Sequence, residues 1–185
     1  YGIILAETGG GKFFINIAES LMGKYRGGPA KVAILASGFF GMLSGSPTSN
    51  VITSGSLTIP AMKKAGYSGR YAAAIEACAS TGGVLMPPVM GTVAFIMASF
   101  LNLPYAEILL AALIPGAIFY IALIIQTDLY AAKNKLLGMN AREIPQLYPT
   151  LINGFPFIIS FVSLVWLIVS AKLESEAPFI ASLLL

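Results

Sequence analysis

The sequence predicts an all-α membrane protein, a polytopic helical bundle that contains a re-entrant helical hairpin and a discontinuous transmembrane helix. Three observations lead there. Of 185 residues 57% are hydrophobic and only 10% charged, where a soluble domain carries about 25% charged residues. Charge-free runs long enough to cross a hydrocarbon core of about 30 Å recur along the chain. Two of these runs are interrupted in their middles by glycine, proline and hydroxyl residues, which loosen a helix from within.

The same composition excludes several function classes. The formal charge of +3 is dispersed in small clusters between apolar runs, so it reads as a topology signal and not as a nucleic-acid surface. Cys78 stands alone, which rules out a disulfide framework and suits a small buried hydrophobe. Histidine is absent, and with it imidazole metal centres and most His-based acid/base chemistry. The run Gly9-Gly10-Gly11-Lys12 lacks the Ser or Thr that a phosphate loop needs, because Phe13 follows the lysine. An embedded enzyme would want paired carboxylates or a metal cluster, and the apolar core offers one acid, Glu76. No enzyme and no resident cofactor is expected. The chain starts inside one apolar run, Tyr1 to Ala6, and stops inside another, Ala181 to Leu185, so both ends read as cut.

Five segments follow from the pattern. Residues 1–30 read as a helix end and an interfacial arm, with Phe13 to Met22 lying along the membrane surface. Residues 31–64 contain Val32 to Met62, charge-free for 31 residues, about 46 Å as one straight helix. Its middle is Ser44-Gly45-Ser46-Pro47-Thr48-Ser49-Asn50. Two arms of about 12 residues, each under about 20 Å, flank this break, and neither alone spans the bilayer. Lys24, Arg26 and Lys31 precede the first arm, and Lys63, Lys64 and Arg70 follow the second, so entry and exit carry the mark of one cytoplasmic face. A re-entrant hairpin satisfies both facts.

Residues 65–128 hold a helix interrupted by Ser80-Thr81-Gly82-Gly83 and by Pro87-Pro88, then an outward loop, Leu101 to Ala106, without Lys or Arg. A charge-free span follows from Glu107 to Asp128. Residues 129–150 mix Lys133, Lys135, Asn140, Arg142 and Glu143 with leucines, as a cytoplasmic interfacial segment does. Residues 151–185 hold a span over Leu151 to Ser170, then Lys172 with Glu174 and Glu176, and a further span from about Ala177. Counting Lys12, ten of the eleven basic residues fall inside.

Unpaired backbone groups in lipid cost several kcal/mol each, so broken helices are tolerated where they line a cavity or pack within protein. Two breaks within 40 residues of each other predict one polar site near mid-membrane. Freed carbonyls and hydroxyls suit a hard cation such as Na⁺, and half-helix N-termini offer N–H groups to an anion. The candidates are Ser44, Gly45, Ser46, Thr48, Ser49, Asn50, Ser80, Thr81, Gly82, Gly83, Pro87 and Pro88. Sodium is expected on backbone carbonyls near Ser44 to Ser46 and Thr81 to Gly83. The competing reading is close helix packing, for which Gly41-x-x-x-Gly45 is a small-residue pattern. Glu76 is a candidate for proton coupling because acids inside a membrane are costly; the alternative is a helix-packing partner bonded to a neighbouring hydroxyl.

The runs Gly27-Gly28-Pro29-Ala30-Lys31-Val32-Ala33, Phe40-Gly41-Met42-Leu43-Ser44-Gly45-Ser46, Asn50-Val51, Thr58-Ile59-Pro60, Met62-Lys63 and Gly66-Tyr67 occur in that order. They continue with Glu76-Ala77, Ala79-Ser80-Thr81-Gly82-Gly83, Met86-Pro87-Pro88-Val89-Met90-Gly91 and Ala94-Phe95-Ile96-Met97-Ala98. This series resembles the first half of the large membrane subunit of tripartite ATP-independent periplasmic (TRAP) transporters of the fused-permease type. The likeness covers nearly all of residues 1–128, and the remainder matches mostly in layout. Val84 stands where the family pattern has glutamine, and Pro47-Thr48-Ser49 replaces a small-apolar-Ala triplet.

The resemblance implies an elevator-type secondary transporter of the bacterial inner membrane, multi-pass, driven by a sodium gradient and carrying an organic anion. It implies a periplasmic substrate-binding protein and a small membrane subunit, or its fused equivalent, as partners. It maps the family's hairpin tip onto Ser44 to Asn50 and its broken helix onto Thr81 to Pro88. A proton-coupled carrier of another elevator-type family is the alternative.

Overall fold

The computed structural model describes residues 2–171 and 176–185, and every regular element among them is helical. Tyr1, Lys172 and Glu174, used above as sequence signals, lie outside the described residues. The chain forms α1 (Gly2–Glu7), α2 (Gly10–Met22), α3 (Gly28–Ser44), α4 (Pro47–Lys64) and α5 (Gly69–Gly83). It continues through α6 (Thr92–Leu101), α7 (Tyr105–Lys133), α8 (Leu147–Asn153), α9 (Phe155–Val169) and α10 (Ala177–Ser182).

Helix α3 is the centre of the fold, with 13 of its 17 residues buried. Its start is set by Gly27, which takes a left-handed φ of 65°, and by Pro29 in the first turn. Ala30, Ala33, Ala36, Ser37, Gly38 and Gly41 give it a small-residue surface, and α2, α4 and α5 all pack on it. Gly45 ends the helix at φ 63°, its N–H donating to the Gly41 carbonyl at 3.0 Å. Ser46 is extended and caps α4 by accepting the Ser49 N–H at 3.4 Å, and Pro47 sits at the first helical position, where its missing N–H costs nothing. The break is therefore two residues, Gly45 and Ser46. Thr48, Ser49 and Asn50, expected within it, are the first turn of α4. The arms are also longer than expected, at 17 and 18 residues, but each still measures only about 26 Å.

Helix α5 is capped by Ser68, which accepts the Tyr71 N–H at 3.3 Å, and it runs unbroken through Ser80-Thr81-Gly82-Gly83. The expected interruption at those four residues is thus displaced. Glycine weakens a helix by only about 1 kcal/mol, and here Gly82 packs on Phe119 and Gly83 on Gly41, so tertiary contact outweighs the loss. The non-helical segment is 84–91, where Pro87 and Pro88 cannot supply ladder donors.

Helix α7 has 29 residues and is the one described helix that is alone long and apolar enough to cross a membrane. At about 43 Å it exceeds the hydrocarbon thickness. Leu110, Ile114, Ile118, Ile121, Ile125 and Leu129 recur at three- and four-residue steps and are all exposed, so one face of α7 is apolar and unburied in this chain. The expected span over Leu151 to Ser170 is not one straight helix. Helices α8 and α9 meet at Gly154 with a bend of 71°, because Gly154 leaves helical geometry and Pro156 restarts the helix as a first-turn residue. From Ala177 the described helix extends only to Ser182. The segment after Asp128 stays in α7 as far as Lys133, and residues 134–146 are non-helical before α8 begins.

Among the described residues, the two larger of three hydrophobic clusters flank α3. One joins Phe13, Phe14, Phe40, Leu43, Met90, Tyr105 and Leu164, and ties α2 and α9 to the broken helix. The other joins Ala33, Ile34, Met62, Ile75, Ala79, Tyr120 and Leu123, and binds the hairpin to α5 and α7. At the base of the hairpin Arg26 and Lys31 both pair with Asp128 of α7. Tyr67, Tyr71 and Tyr130 stack beside them, the Tyr67 and Tyr130 rings 5.8 Å apart between centroids.

Candidate functional site: the hairpin tip and the broken helix

The two interruptions foreseen in the sequence meet in space. Gly41 and Gly83 touch through their backbones: a Cβ on Gly83 would stand 2.6 Å from the Gly41 Cα. Beyond this contact the Val89 N–H donates to the Met42 carbonyl at 3.1 Å, stitching the break to the first arm. At Gly45 a Cβ would lie 2.4 Å from the Met90 carbonyl oxygen, and one on Gly91 would lie 3.7 Å from the Gly45 carbonyl oxygen. The carbonyls of Gly45 and Met90 are thus the oxygens that the fold gathers where tip and break adjoin. Tyr105 fixes the far side of the break: its hydroxyl lies 3.0 Å from the Pro88 carbonyl oxygen and 2.6 Å from that of Val89, which can share its one proton.

The predicted candidates divide into two groups. Ser44, Gly45 and Ser46 lie at the tip, and Ser49 lends its N–H to the Ser46 cap. Thr48 is exposed on α4. Pro87 and Pro88 are buried in the break facing α7. Thr81 is exposed, and its hydroxyl bonds back to the Ala77 carbonyl at 2.8 Å, so its side chain stays on its own helix. Gly82 faces Phe119. The junction is reached instead through Gly83 and through Val89 to Gly91. Met90 was not singled out in the sequence: its left-handed φ of 55° carries no signature in a methionine.

Ser80 and Asn50 belong to a second polar cluster, around Glu76. The carboxyl is wholly buried. Its Oε1 accepts from Ser37 and Ser54 at 2.5 Å and from Ser80 at 3.2 Å, and its Oε2 accepts from Thr58 at 2.5 Å. These hydroxyls come from both hairpin arms and from α5 itself. Asn50 donates to the Ser37 carbonyl at 2.8 Å, and its Oδ1 lies 3.1 Å from the Ser54 hydroxyl. Helices α3, α4 and α5 thus meet at this carboxyl through four hydroxyls. Among the described residues no group of three His, Cys, Asp or Glu side chains could hold a metal ion. The polar atoms that the structure places at the tip are backbone carbonyls and the hydroxyls of Ser44 and Ser46.

Residues 1–185 match the family model of the tripartite ATP-independent periplasmic transporter DctM component. The chain belongs to this DctM family. It is 36% identical over 120 residues to the C4-dicarboxylate TRAP transporter large permease protein DctM of Vibrio cholerae, a match covering 64% of this chain and 26% of that protein. It is 31% identical over 137 residues to the isethionate TRAP transporter permease protein DctMQ of Oleidesulfovibrio alaskensis, covering 74% and 21%. Against the sialic acid TRAP transporter permease protein SiaT of Haemophilus influenzae it is 36% identical over 121 residues, covering 65% and 19%. The matched stretch spans about a fifth to a third of these and the other DctM relatives. In this DctM chain the turn between α3 and α4 falls at residues 45–46 and the non-helical segment after α5 at residues 84–91, which overlap the stretches 44–50 and 81–88 singled out by the resemblance.

Replacing Ser46 by alanine should remove the cap of α4 and lower stability by about 1 kcal/mol. Thr81→Ala, at an exposed side chain bonded to its own helix, should change it by about half of that at most. Thermal unfolding of the two variants of the purified parent protein checks both.

Proposed function

We propose that this chain is part of the large membrane subunit of a TRAP permease that imports organic anions, carboxylates among them, on a sodium gradient. The observation that carries the reading is the approach of Gly45 at the tip to the Met90 carbonyl in the break, next to the contact of α3 with α5 at Gly41 and Gly83. Irregular backbone at membrane depth, packed against a second irregular segment, is where secondary transporters hold coupling ions. In this reading Na⁺ is held by carbonyl oxygens, and the substrate anion by N–H groups at the starts of α4 and α6. Three relatives are named for C4-dicarboxylate, isethionate and sialic acid, which supports an anionic substrate class. A periplasmic binding protein delivers the substrate, and a small membrane subunit or its fused equivalent completes the complex in the bacterial inner membrane.

The test is substrate-panel uptake by the full transporter in proteoliposomes, with its binding protein, across a sodium gradient. Uptake that follows the sodium gradient supports the reading; uptake that follows a proton gradient at zero sodium replaces it with the proton-coupled alternative, which rests on the buried Glu76.

The hairpin is re-entrant in this proposal, with both ends cytoplasmic. Lys31 is only 7% exposed and is paired with Asp128, so it makes a poor labelling site. Lys24 and Lys64 are exposed at the two ends. Single cysteines there, with Cys78 replaced, should react with impermeant thiol reagents from the cytoplasmic side alone, and periplasmic labelling of either would overturn the hairpin.

A further inference from the structure

Glu76 is the one fully buried acid of the described chain, and its partners are hydroxyls, not cations. The ion pairs among the described residues are those of Asp128 with Arg26 and Lys31, at the far end of the hairpin. Tyr120, which approaches from α7, spends its hydroxyl proton on the Ala79 carbonyl at 2.7 Å. The carboxyl is therefore balanced within a ring of hydrogen bonds.

That ring is closed, and it includes the start of α4. Ser37 donates to Glu76 through Oγ, while its backbone carbonyl accepts from Asn50 Nδ2 at 2.8 Å. Asn50 Oδ1 and the Asn50 carbonyl lie 3.1 and 2.7 Å from the Ser54 hydroxyl, which also reaches Glu76. A hydroxyl has one proton to give. The Ser54 proton is thus shared between Glu76 and Asn50, and what stands at position 76 decides how Asn50 is held. Asn50 in turn lies over Gly41: a Cβ on Gly41 would stand 2.7 Å from Asn50 Nδ2 and 2.7 Å from the Gly83 Cα. The ring ends at the contact of α3 with α5 that flanks both the tip and the break. Gly55 lets the stem of Glu76 lie against α4, since a Cβ there would already be 3.1 Å from Glu76 Cγ.

Resting on the function proposed above, we infer that Glu76 is a positioning residue for the hairpin tip: through Ser54 it orients Asn50 and holds the Gly41–Gly83 contact, acting by shape and hydrogen bonding and not by carrying the coupling charge. Glutamine offers the same fork. Its carbonyl oxygen accepts from Ser37 and Ser54, and its amide donates to Thr58 Oγ1, whose own proton has the Ser54 carbonyl at 3.0 Å to receive it. Alanine offers neither arm of that fork and leaves four hydroxyls facing a void.

The experiment uses the purified full-length parent protein, with ²²Na⁺ binding titrated across pH and hydrogen–deuterium exchange read over residues 45–51. Glu76→Gln should keep the wild-type half-saturating sodium concentration within about twofold, with the same pH profile and the same exchange at the tip. Glu76→Ala should raise that concentration about tenfold and speed exchange at the tip. If Glu76→Ala does not fold, Ser54→Ala keeps the carboxyl with its Ser37, Ser80 and Thr58 donors and removes the hydroxyl that bridges Glu76 to Asn50, and a severalfold rise is expected. Glu76→Gln as impaired as Glu76→Ala, a changed pH profile in Glu76→Gln, or an unaffected Ser54→Ala would each overturn the inference. Wild-type protein that binds no ²²Na⁺ would end the sodium reading itself, while the exchange measurements would still decide whether Glu76 positions the tip.

Discussion

Gly83→Val in the parent protein is expected to abolish the proposed sodium binding and to lower the thermal unfolding midpoint. The neighbour of position 83 is backbone: its Cβ would stand 2.6 Å from the Gly41 Cα and 3.0 Å from the Gly41 carbonyl carbon. A flexible side chain could swing aside, but a helix backbone packed on three sides moves only with its helix. Overpacking of this kind costs roughly 3 kcal/mol, and the displacement falls on the junction of tip and break. Gly41→Val should behave alike from the opposite side. Gly11→Val is the control: a Cβ there meets nothing closer than 3.9 Å, and that variant should match wild type in ²²Na⁺ binding and unfolding. A Gly83→Val protein with wild-type sodium binding would mean that the close approach has no functional part.

The second large effect is expected at the base of the hairpin. Asp128 accepts from both Arg26 and Lys31, and the Lys31 side chain is 9% exposed. Asp128→Ala strands a buried ammonium group, for which losses of about 3–5 kcal/mol are typical. The Asp128 side chain is 28% exposed, so water relieves part of this, and the low end, about 3 kcal/mol, is expected. Adding Lys31→Met should recover most of the stability by removing the stranded charge while keeping the apolar stem. Thermal unfolding of the two single variants and the double variant measures the coupling. Additive losses would show that the pair does not link the hairpin to α7.

The hairpin was legible because its signal is local. Gly45, Ser46 and Pro47 are a left-handed cap, an N-cap and a first-turn proline in succession, and each specifies its own backbone without help from afar. The non-helical segment after α5 starts later than the residues suggest. It contains Pro87 and Pro88, whereas Ser80 to Gly83 remain helical, because Gly83 has Gly41 to pack against and Gly82 has Phe119. Likewise the bend at Gly154 between α8 and α9 divides a run that hydropathy alone makes one span.

The polar residues show the limit most clearly. Ser80 and Thr81 are adjacent and chemically alike, yet Ser80 is buried against Glu76 and Thr81 is exposed with its hydroxyl on its own helix. One residue step turns a helix by about 100°, so which of the two joins a site depends on how α5 is rotated against the hairpin. By itself the sequence determined the solvent of the chain, its helical class, the hairpin turn and the ordered motifs of the DctM family, all of them set by composition or by residues within a few positions of one another. Tertiary structure alone decided that Ser37, Ser54, Thr58 and Ser80 converge on Glu76 with Asn50 bonded to Ser37 and Ser54 beside them, and that the Met90 carbonyl lies at the tip. That convergence depends on the register of three helices, which is set by the backbone contact of Gly41 with Gly83, 42 positions apart in the chain.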